Sequence, residues 1–498
     1  MPNQTSLANA LKWAYTANWG ERAFSALFTI LLAAILGPRE FGIISIALIY
    51  IQFIKMLLEQ GFVAALIQRK DLDADHMDTV FWINMAESAV LIVLSVAFSK
   101  WWAAVNSVSA LVPIIAALSL CIPIEAVSLV QIALLKREMN FRPLSVRSNA
   151  SVLFAGIVGV VLAFLGYGVW SLVAQQIVRD IMSSLLLWRF SPWRPRLRFS
   201  WRHLQELLKC SASTFSAQLG MFTESQAPAV VLGALFGPVA VGLYRLADRF
   251  VSTVLSGAVS SIQMVALPEF SRFQHEPDKL RKSVLTCIRL SATCTLPAFV
   301  GLAAVSTPLM QTIGASWLPA SHVLPILCMS GMCLTFASFT APLLQAVSRA
   351  HHSALLEWVR TAVGVGSVIL AGLLVKHSAI QTQIVTVAVA RFAVALIVVG
   401  PLFVLVMLKS CGTTLRELGR VIGPAAGSAL AVGVSILIVR AFGTWSGIPV
   451  VLLGTETMVG AGTGLVVLLT LDLQLRSSLI SAAYRVQRYG SVIAWFER

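Results

Sequence analysis

Leu36-Gly-Pro-Arg-Glu-Phe-Gly42-Ile43 returns 200 residues further on as Phe236-Gly-Pro-Val-Ala-Val-Gly242-Leu243. Each copy lies between two long apolar runs. Proline lacks the N–H that a helix interior needs, so Gly-Pro ends one helix and turns the chain into the next. The second glycine of each copy permits close packing as that next helix begins. Both copies hold the same rank in successive sets of six apolar runs, which predicts a duplicated architecture. Six crossings bring a chain back to the side it left, so the two sets are expected to be parallel repeats.

Composition sets the solvent for this architecture. Of 498 residues, 57% are hydrophobic and 12% charged, against roughly 45–50% and about 25% in soluble chains. The runs reach the ~20 residues needed to cross a ~30 Å hydrocarbon core, and they do not alternate polar with apolar as barrel strands do. The expectation is an all-α integral membrane protein of about fourteen transmembrane helices. Spans are placed at roughly 14–36, 41–64, 80–100, 106–134, 147–167, 168–189, 206–236, 239–267, 281–307, 321–347, 353–375, 379–408, 415–441 and 447–471. Residues 1–203 then form an N-terminal six-helix bundle whose basic stretch, about 189–203, is a linker. Residues 204–410 form a second bundle, and 411–498 add helices 13 and 14 and a tail. The first apolar run holds Glu21 and Arg22 and leads into Gly37-Pro38, so it reads as a span and not as a cleavable signal.

The net charge of +15 would suggest nucleic acid in a soluble chain. Here it is a matter of topology. Lysines and arginines crowd the loops on the side of the N-terminus, such as Lys136-Arg137, Arg189–Arg202 and Lys279–Lys282. The other side has only Arg39, Lys100, Lys376 and Arg440. The positive-inside rule therefore puts both termini in the cytoplasm, and no nucleic-acid partner is expected. The seven cysteines form no Cys-x-x-Cys pair, so neither a disulfide framework nor a zinc site is expected.

Charges inside spans cost about 2.5–3.5 kcal/mol each at a helix centre and so mark cavities or partners. Glu21, Arg22, Lys55, Glu59, Glu87, Glu125, Arg179, Asp180, Glu224, Arg245, Asp248, Arg249, Arg289, Glu357, Arg360 and Arg391 lie in this class. Lys55 and Glu59 share a helical face and can neutralise each other. Glu357 and Arg360 read as a snorkelling pair near a boundary. Arg245 and Arg249 also share a face, and two like charges so placed repel. Either an anion lies between them, or they pair with Asp248, Glu224 or Asp180.

Three other features have structural explanations. Asp71-Leu-Asp-Ala-Asp-His-Met-Asp78 immediately precedes a span, where carboxylates cap free amides and meet the positive end of the helix dipole. His351 and His352 have no third metal ligand nearby in sequence. Gly460-Ala-Gly-Thr-Gly464 lies within an apolar span without a preceding strand, so close helix packing explains it better than a nucleotide loop. No cofactor or metal is expected.

The quoted turn, Gly61-Phe-Val-Ala-Ala-Leu-Ile-Gln-Arg-Lys70 and Phe81-Trp-Ile-Asn84 together resemble the signature of polysaccharide transport proteins. These are the Wzx-type flippases of the multidrug/oligosaccharidyl-lipid/polysaccharide (MOP) exporter superfamily. Lys136-Arg-Glu-Met-Asn-Phe-Arg142, Gly166-Tyr-Gly-Val-Trp170, Ser191-Pro-Trp-Arg-Pro-Arg196 and Pro268-Glu-Phe-Ser-Arg272 fit as well. The resemblance covers roughly residues 12–350 and departs from the family pattern at Glu224-Ser-Gln-Ala-Pro228. It implies two six-helix bundles in a V around a cavity lined by spans 1, 2, 7 and 8. The implied cargo is an oligosaccharide on undecaprenyl diphosphate, moved across the bacterial cytoplasmic (inner) membrane for exopolysaccharide, capsule or O-antigen synthesis. Its implied partners are membrane lipids, a proton or sodium ion, and polymerase and export machinery. Arg22, Lys55, Arg245 and Arg249 are then the expected diphosphate contacts, with Glu21, Glu59, Glu224 and Asp248 as coupling or charge-pairing groups. The rival readings are a cation-coupled drug antiporter of the same superfamily and a membrane polysaccharide polymerase or ligase. A drug antiporter should prefer an acidic, aromatic cavity, and a polymerase commonly carries a large outside loop. The longest outside connection here, near 308–320, has no charge.

Overall fold

The computed structural model describes residues 4–59, 66, 73–138, 140–347, 350–442 and 449–472, with side chains left out at 4–19, 202–214, 217, 261 and 350–354. Most of the Gly61–Lys70 motif, Asp71, and the side chains of Cys210, His351 and His352 lie outside this set. The described residues are almost entirely helical, with no strand among them. The elements that matter here are α1 (Gln4–Glu59), α2 (Ala74–Val105), α3 (Leu111–Leu118), α4 (Cys121–Ala126), α5 (Leu129–Arg137), α6 (Phe141–Phe164), α7 (Val169–Phe190), α8 (Trp201–Phe236) and α9 (Pro238–Arg272). After α10 (Pro277–Ala304) and α11 (Ser306–Ile313) come α12 (Ala320–Ala337), α13 (Thr340–Ala346), α14 (Ala350–Leu374), α15 (Ile380–Val394), α16 (Gly400–Cys411), α17 (Leu415–Phe442) and α18 (Pro449–Leu471).

Eleven described helices are long and apolar enough to cross a membrane, or twelve when Leu111–Ala126 and Leu129–Arg137, bent by 42°, count as one span. Gly20–Glu59 is one of the eleven although Gly37 divides it into two helices. The α7 helix, with Gln175, Gln176, Arg179 and Asp180, is not among them. In a bilayer every backbone polar group must find its partner within the segment, which is why these apolar runs are helices.

The chain divides into two compact units: Met1–Thr253 with Ile313–Val323 and His351–Val394, and Val254–Thr312 with Leu324–Ala350 and Ala395–Arg498. In the first, both copies of the repeated turn adopt one backbone. Gly37 has φ 79°, ψ 173°, and Gly237 has φ 81°, ψ −174°, a conformation open to glycine alone at low cost. The two turns also meet reciprocally: a Cβ on Gly42 would strike the Pro238 carbonyl, and one on Gly242 would strike the Pro38 carbonyl. That exchange of equivalent contacts is the signature of a local two-fold axis. Trp317, 1% exposed, locks the first turn by donating its indole N–H to the Ala33 carbonyl at 2.8 Å and packing edge-on to Phe41.

The acidic run before α2 behaves as the start of a helix. The His76 ring accepts the Asp73 backbone N–H at 3.4 Å. The basic linker is strapped to the same end: Asp78 accepts the Arg196 N–H at 3.1 Å, Thr79 Oγ1 the Ser200 N–H at 3.1 Å, and Arg196 the Trp82 indole at 2.7 Å. In the second unit α10, α17 and α18 pack together. Ser428 donates to the Gly464 carbonyl at 2.8 Å, and a Cβ on Gly464 would collide with Val432, so the Gly460–Gly464 stretch is a helix-packing seam as expected. Glu456, wholly buried, accepts from Arg440 Nε and Nη2, each at 3.0 Å.

Candidate functional site

The first unit holds a polar cavity of about 380 Å³. The two helices that leave the repeated turns line it at matching positions: Ser45, Leu48 and Gln52 from α1, and Arg245, Asp248 and Ser252 from α9. Ser25 and Thr29 from the first arm of α1, Gln175, Gln176 and Arg179 from α7, Gln226 from α8 and Arg249 complete its polar lining.

The charges here sort by what they touch. Arg179 is paired with Glu21 at 2.6 Å. Asp248 is taken by Arg391 at 2.6 Å, which also donates to the Tyr244 hydroxyl at 2.9 Å. Arg245, by contrast, donates to the Gln226 side-chain oxygen, and Arg249 to the Ser25 hydroxyl at 2.5 Å. Both are neutral acceptors. Among the described residues, no carboxylate lies within ion-pair distance of either arginine.

The acids that could have neutralised them are engaged elsewhere. Asp180 and Glu125 both bind Lys55 Nζ, each at 2.7 Å, and Gln176 supports Asp180 at 3.1 Å. Glu224 meets Arg360 at 2.5 Å, and Glu357 meets the same guanidinium at 2.9 Å. The snorkelling pair read from sequence is therefore part of a triad with α8. Among the described residues, then, neither Arg245 nor Arg249 forms an ion pair with Asp248, Glu224 or Asp180, and their hydrogen-bond partners are Gln226 and Ser25.

The other sequence candidates are spread more widely. Lys55 finds its carboxylates on α4 and α7, and the charges it was expected to share with Glu59 are met there. Glu59 ends α1 half-buried, and Arg22 is half-buried beside Glu21. Neither they, Lys55 nor Glu224 line the cavity. A ranking by charge passes over Gln226, Ser25, Gln52, Gln175 and Gln176. The spacing of Gln175, Gln176 and Arg179, one helical turn apart, is the signal that marks a polar stripe on α7.

Known proteins are similar over most of this chain. The profile of the polysaccharide biosynthesis protein family matches residues 31–322. The "Succinoglycan biosynthesis transport protein ExoT" of Rhizobium meliloti (strain 1021) is 28% identical over 370 residues, 74% of each chain. The "Lipopolysaccharide biosynthesis protein WzxC" of Escherichia coli (strain K12) is 24% identical, over 68% of this chain and 70% of that one. Among solved structures, the lipid II flippase MurJ in its inward closed conformation aligns with a TM-score of 0.72, at 16% identity, over 93% of this chain and 98% of its own. An inward-facing multidrug resistance MATE family transporter of the MOP superfamily gives 0.61 at 16% identity, over 78% and 95%. These last two are likenesses of fold. The family and the all-α membrane fold expected from the sequence are the ones found, with eleven or twelve candidate spans among the described residues against the fourteen expected.

Proposed function

The chain belongs to the polysaccharide biosynthesis protein family, and from that premise we propose that it is a flippase for lipid-linked oligosaccharides. The observation that carries this reading is the arginine pair in the polar cavity. A lipid-linked sugar diphosphate is a diester with two negative charges. Arg245 and Arg249 offer two cations on one helical face whose present partners, Gln226 and Ser25, are neutral. Guanidinium groups bind phosphate oxygens through paired N–H donors, an interaction strengthened where water is excluded. The surrounding amides and hydroxyls of Gln52, Gln175, Gln176 and Ser252 suit the hydroxyl-rich sugars. Arg22 and Lys55 complete the set read from sequence, but the two carboxylates on Lys55 make it the weaker contact.

The transport cycle in this reading is alternating access, with the unit carried from the cytoplasmic to the outer leaflet of a bacterial inner membrane. Taking the two arms about Gly37 separately, counting the bent pair, and adding α7 makes fourteen crossings. An even count puts both termini on one side of the membrane, and the loop charges favour the cytoplasmic one. Glu224 and Glu357, two carboxylates on one arginine, are the groups best placed to exchange a proton or sodium ion during the cycle. Glu21 and Asp248 serve charge pairing, and Glu59, at the end of α1, is a further coupling candidate. The succinoglycan and lipopolysaccharide relatives support an exopolysaccharide or O-antigen repeat as the cargo.

The test is flipping of an undecaprenyl-diphosphate oligosaccharide by purified protein in proteoliposomes. Arg245→Ala and Arg249→Ala should each lower the rate by about tenfold or more, the value of a charge-assisted hydrogen bond, with normal protein yield. Full-rate flipping by both variants would remove the pair from the mechanism.

A further inference from the structure

A second cavity, of about 590 Å³, lies in the same unit and is almost wholly apolar. Its size is within the ~300–1,000 Å³ of small-ligand sites. It is built from the end of α1, α2, α8 and α14, with Phe53, Trp101, Phe222, Val231 and Ile369 among its walls. Phe53 and Phe222 meet across it, ring centroids 6.0 Å apart. Leu94, Phe98 and Trp101 are 43%, 54% and 59% exposed, so the cavity opens outward along α2. One polar residue belongs to both cavities: Gln226, whose side-chain oxygen accepts from Arg245.

We propose that this apolar cavity receives the isoprene units next to the diphosphate, so that Gln226 is the partition between a head-group compartment and a chain compartment. The inference rests on the flippase reading and deepens it by giving the lipid carrier its own site. The chemistry follows from connectivity. A polyprenyl chain begins one oxygen away from the phosphorus, so a diphosphate held at Arg245 and Arg249 delivers its first isoprenes to a wall of the polar cavity. Leaving them among glutamines and arginines keeps apolar surface against polar groups, and moving them past Gln226 buries it. Branched, unsaturated isoprenes also suit aromatic walls. The remaining chain leaves through the mouth flanked by Leu94, Phe98 and Trp101 into lipid. Gln226 itself then has a role the charges do not reveal. It holds Arg245 while the site is empty and yields it when a phosphate competes.

The measurement is binding in nanodiscs of phosphatidylethanolamine and phosphatidylglycerol. The two ligands are undecaprenyl diphosphate carrying one hexosamine and its methyl analogue, which has the same head group and no isoprene. Ala227→Phe and Val231→Phe fill the apolar cavity. Each should weaken the long-chain ligand by about tenfold relative to the methyl one, the effect of losing one or two buried isoprene contacts. Arg245→Ala should weaken both ligands alike. A photoreactive group on the first isoprenes should label Phe53, Phe222 or Val231, in competition with unlabelled carrier. Equal losses for both chain lengths, or no loss, in the two filled variants would overturn the chain site while leaving the flippase reading standing. So would labelling of the same residues by a photoreactive phospholipid that the carrier does not displace, since the cavity would then hold bulk lipid. Wild-type protein that binds neither ligand would defeat the flippase reading itself, and this inference with it.

Discussion

The two copies of the Gly-Pro turn share a backbone and differ in the charge that follows. Gly37 and Gly237 agree within a few degrees in φ, and Gly42 and Gly242 each rest on the other copy's proline carbonyl. The helices leaving them put Ser45 and Arg245, Leu48 and Asp248, and Gln52 and Ser252 at equivalent positions in the lining of one cavity. The first helix carries its cation further along, at Lys55, where two carboxylates hold it at 2.7 Å. The second carries its cations into the cavity and meets them with an amide and a hydroxyl. Shared turns maintain a scaffold, and the charge placed on it is one-sided. In the proposed flippase the cation enclosed by acids contributes to the fold, and the two cations among neutral acceptors are the ones offered to an anion.

The largest effect expected from this contrast is on stability, at Lys55. Lys55→Met leaves Glu125 and Asp180 facing each other in a site where Lys55 and Asp180 are 14% and 16% exposed. Removing one partner of such a buried pair costs about 3–5 kcal/mol. Thermal unfolding in detergent should show a large drop, and the triple variant Lys55→Met, Glu125→Gln, Asp180→Asn should recover most of it. A Lys55→Met protein as stable as wild type would erase the distinction between cations enclosed by acids and cations among neutral acceptors.

The scaffold half of the comparison is tested at the second glycines. Gly42→Ala and Gly242→Ala each drive a methyl group into a backbone carbonyl, which cannot rotate away as a side chain would. Each should cost about 1–3 kcal/mol, the usual penalty of overpacking, and the two losses should match because the contacts are equivalent. A cost at one position and none at the other would show that the two turns are alike in sequence alone.

Much of this was legible in advance, for physical reasons. Runs of apolar residues have one stable form in a bilayer, and Gly-Pro has few conformations, so helices and turns follow from local chemistry. Close packing at Gly460–Gly464 was readable for the same reason. The pairing of charges was not. Lys55 could be matched from sequence with Glu59 four residues away, yet its carboxylates come from α4 and α7, elements that only the tertiary fold brings near. Glu357–Arg360 was visible as a local pair, but its third member, Glu224, lies 136 residues from Arg360. Gln226 was passed over because an amide carries no charge, although its place between two cavities is what gives it importance. Sequence reading found the charged groups and had no means to show which were already satisfied.

The smallest expected stability effect is the most discriminating one. Arg249 is exposed in the cavity and bonds a hydroxyl, and Arg245 sits four residues earlier on the same helical face. Like charges at that spacing destabilise a helix by about 0.2–0.5 kcal/mol. Replacing one of them by an uncharged side chain that can still bond Ser25 should therefore leave the empty protein as stable as before, or slightly more so. Arg249→Gln is expected to unfold within about 0.5 kcal/mol of wild type while flipping falls steeply, because the repulsion it relieves is the attraction an incoming diphosphate would have used. The sign matters more than the size. A loss beyond about 2 kcal/mol in Arg249→Gln, on the scale of a broken buried pair, would mean that a carboxylate neutralises Arg249 after all, and would move it from the ligand's side of the comparison to the side of Lys55.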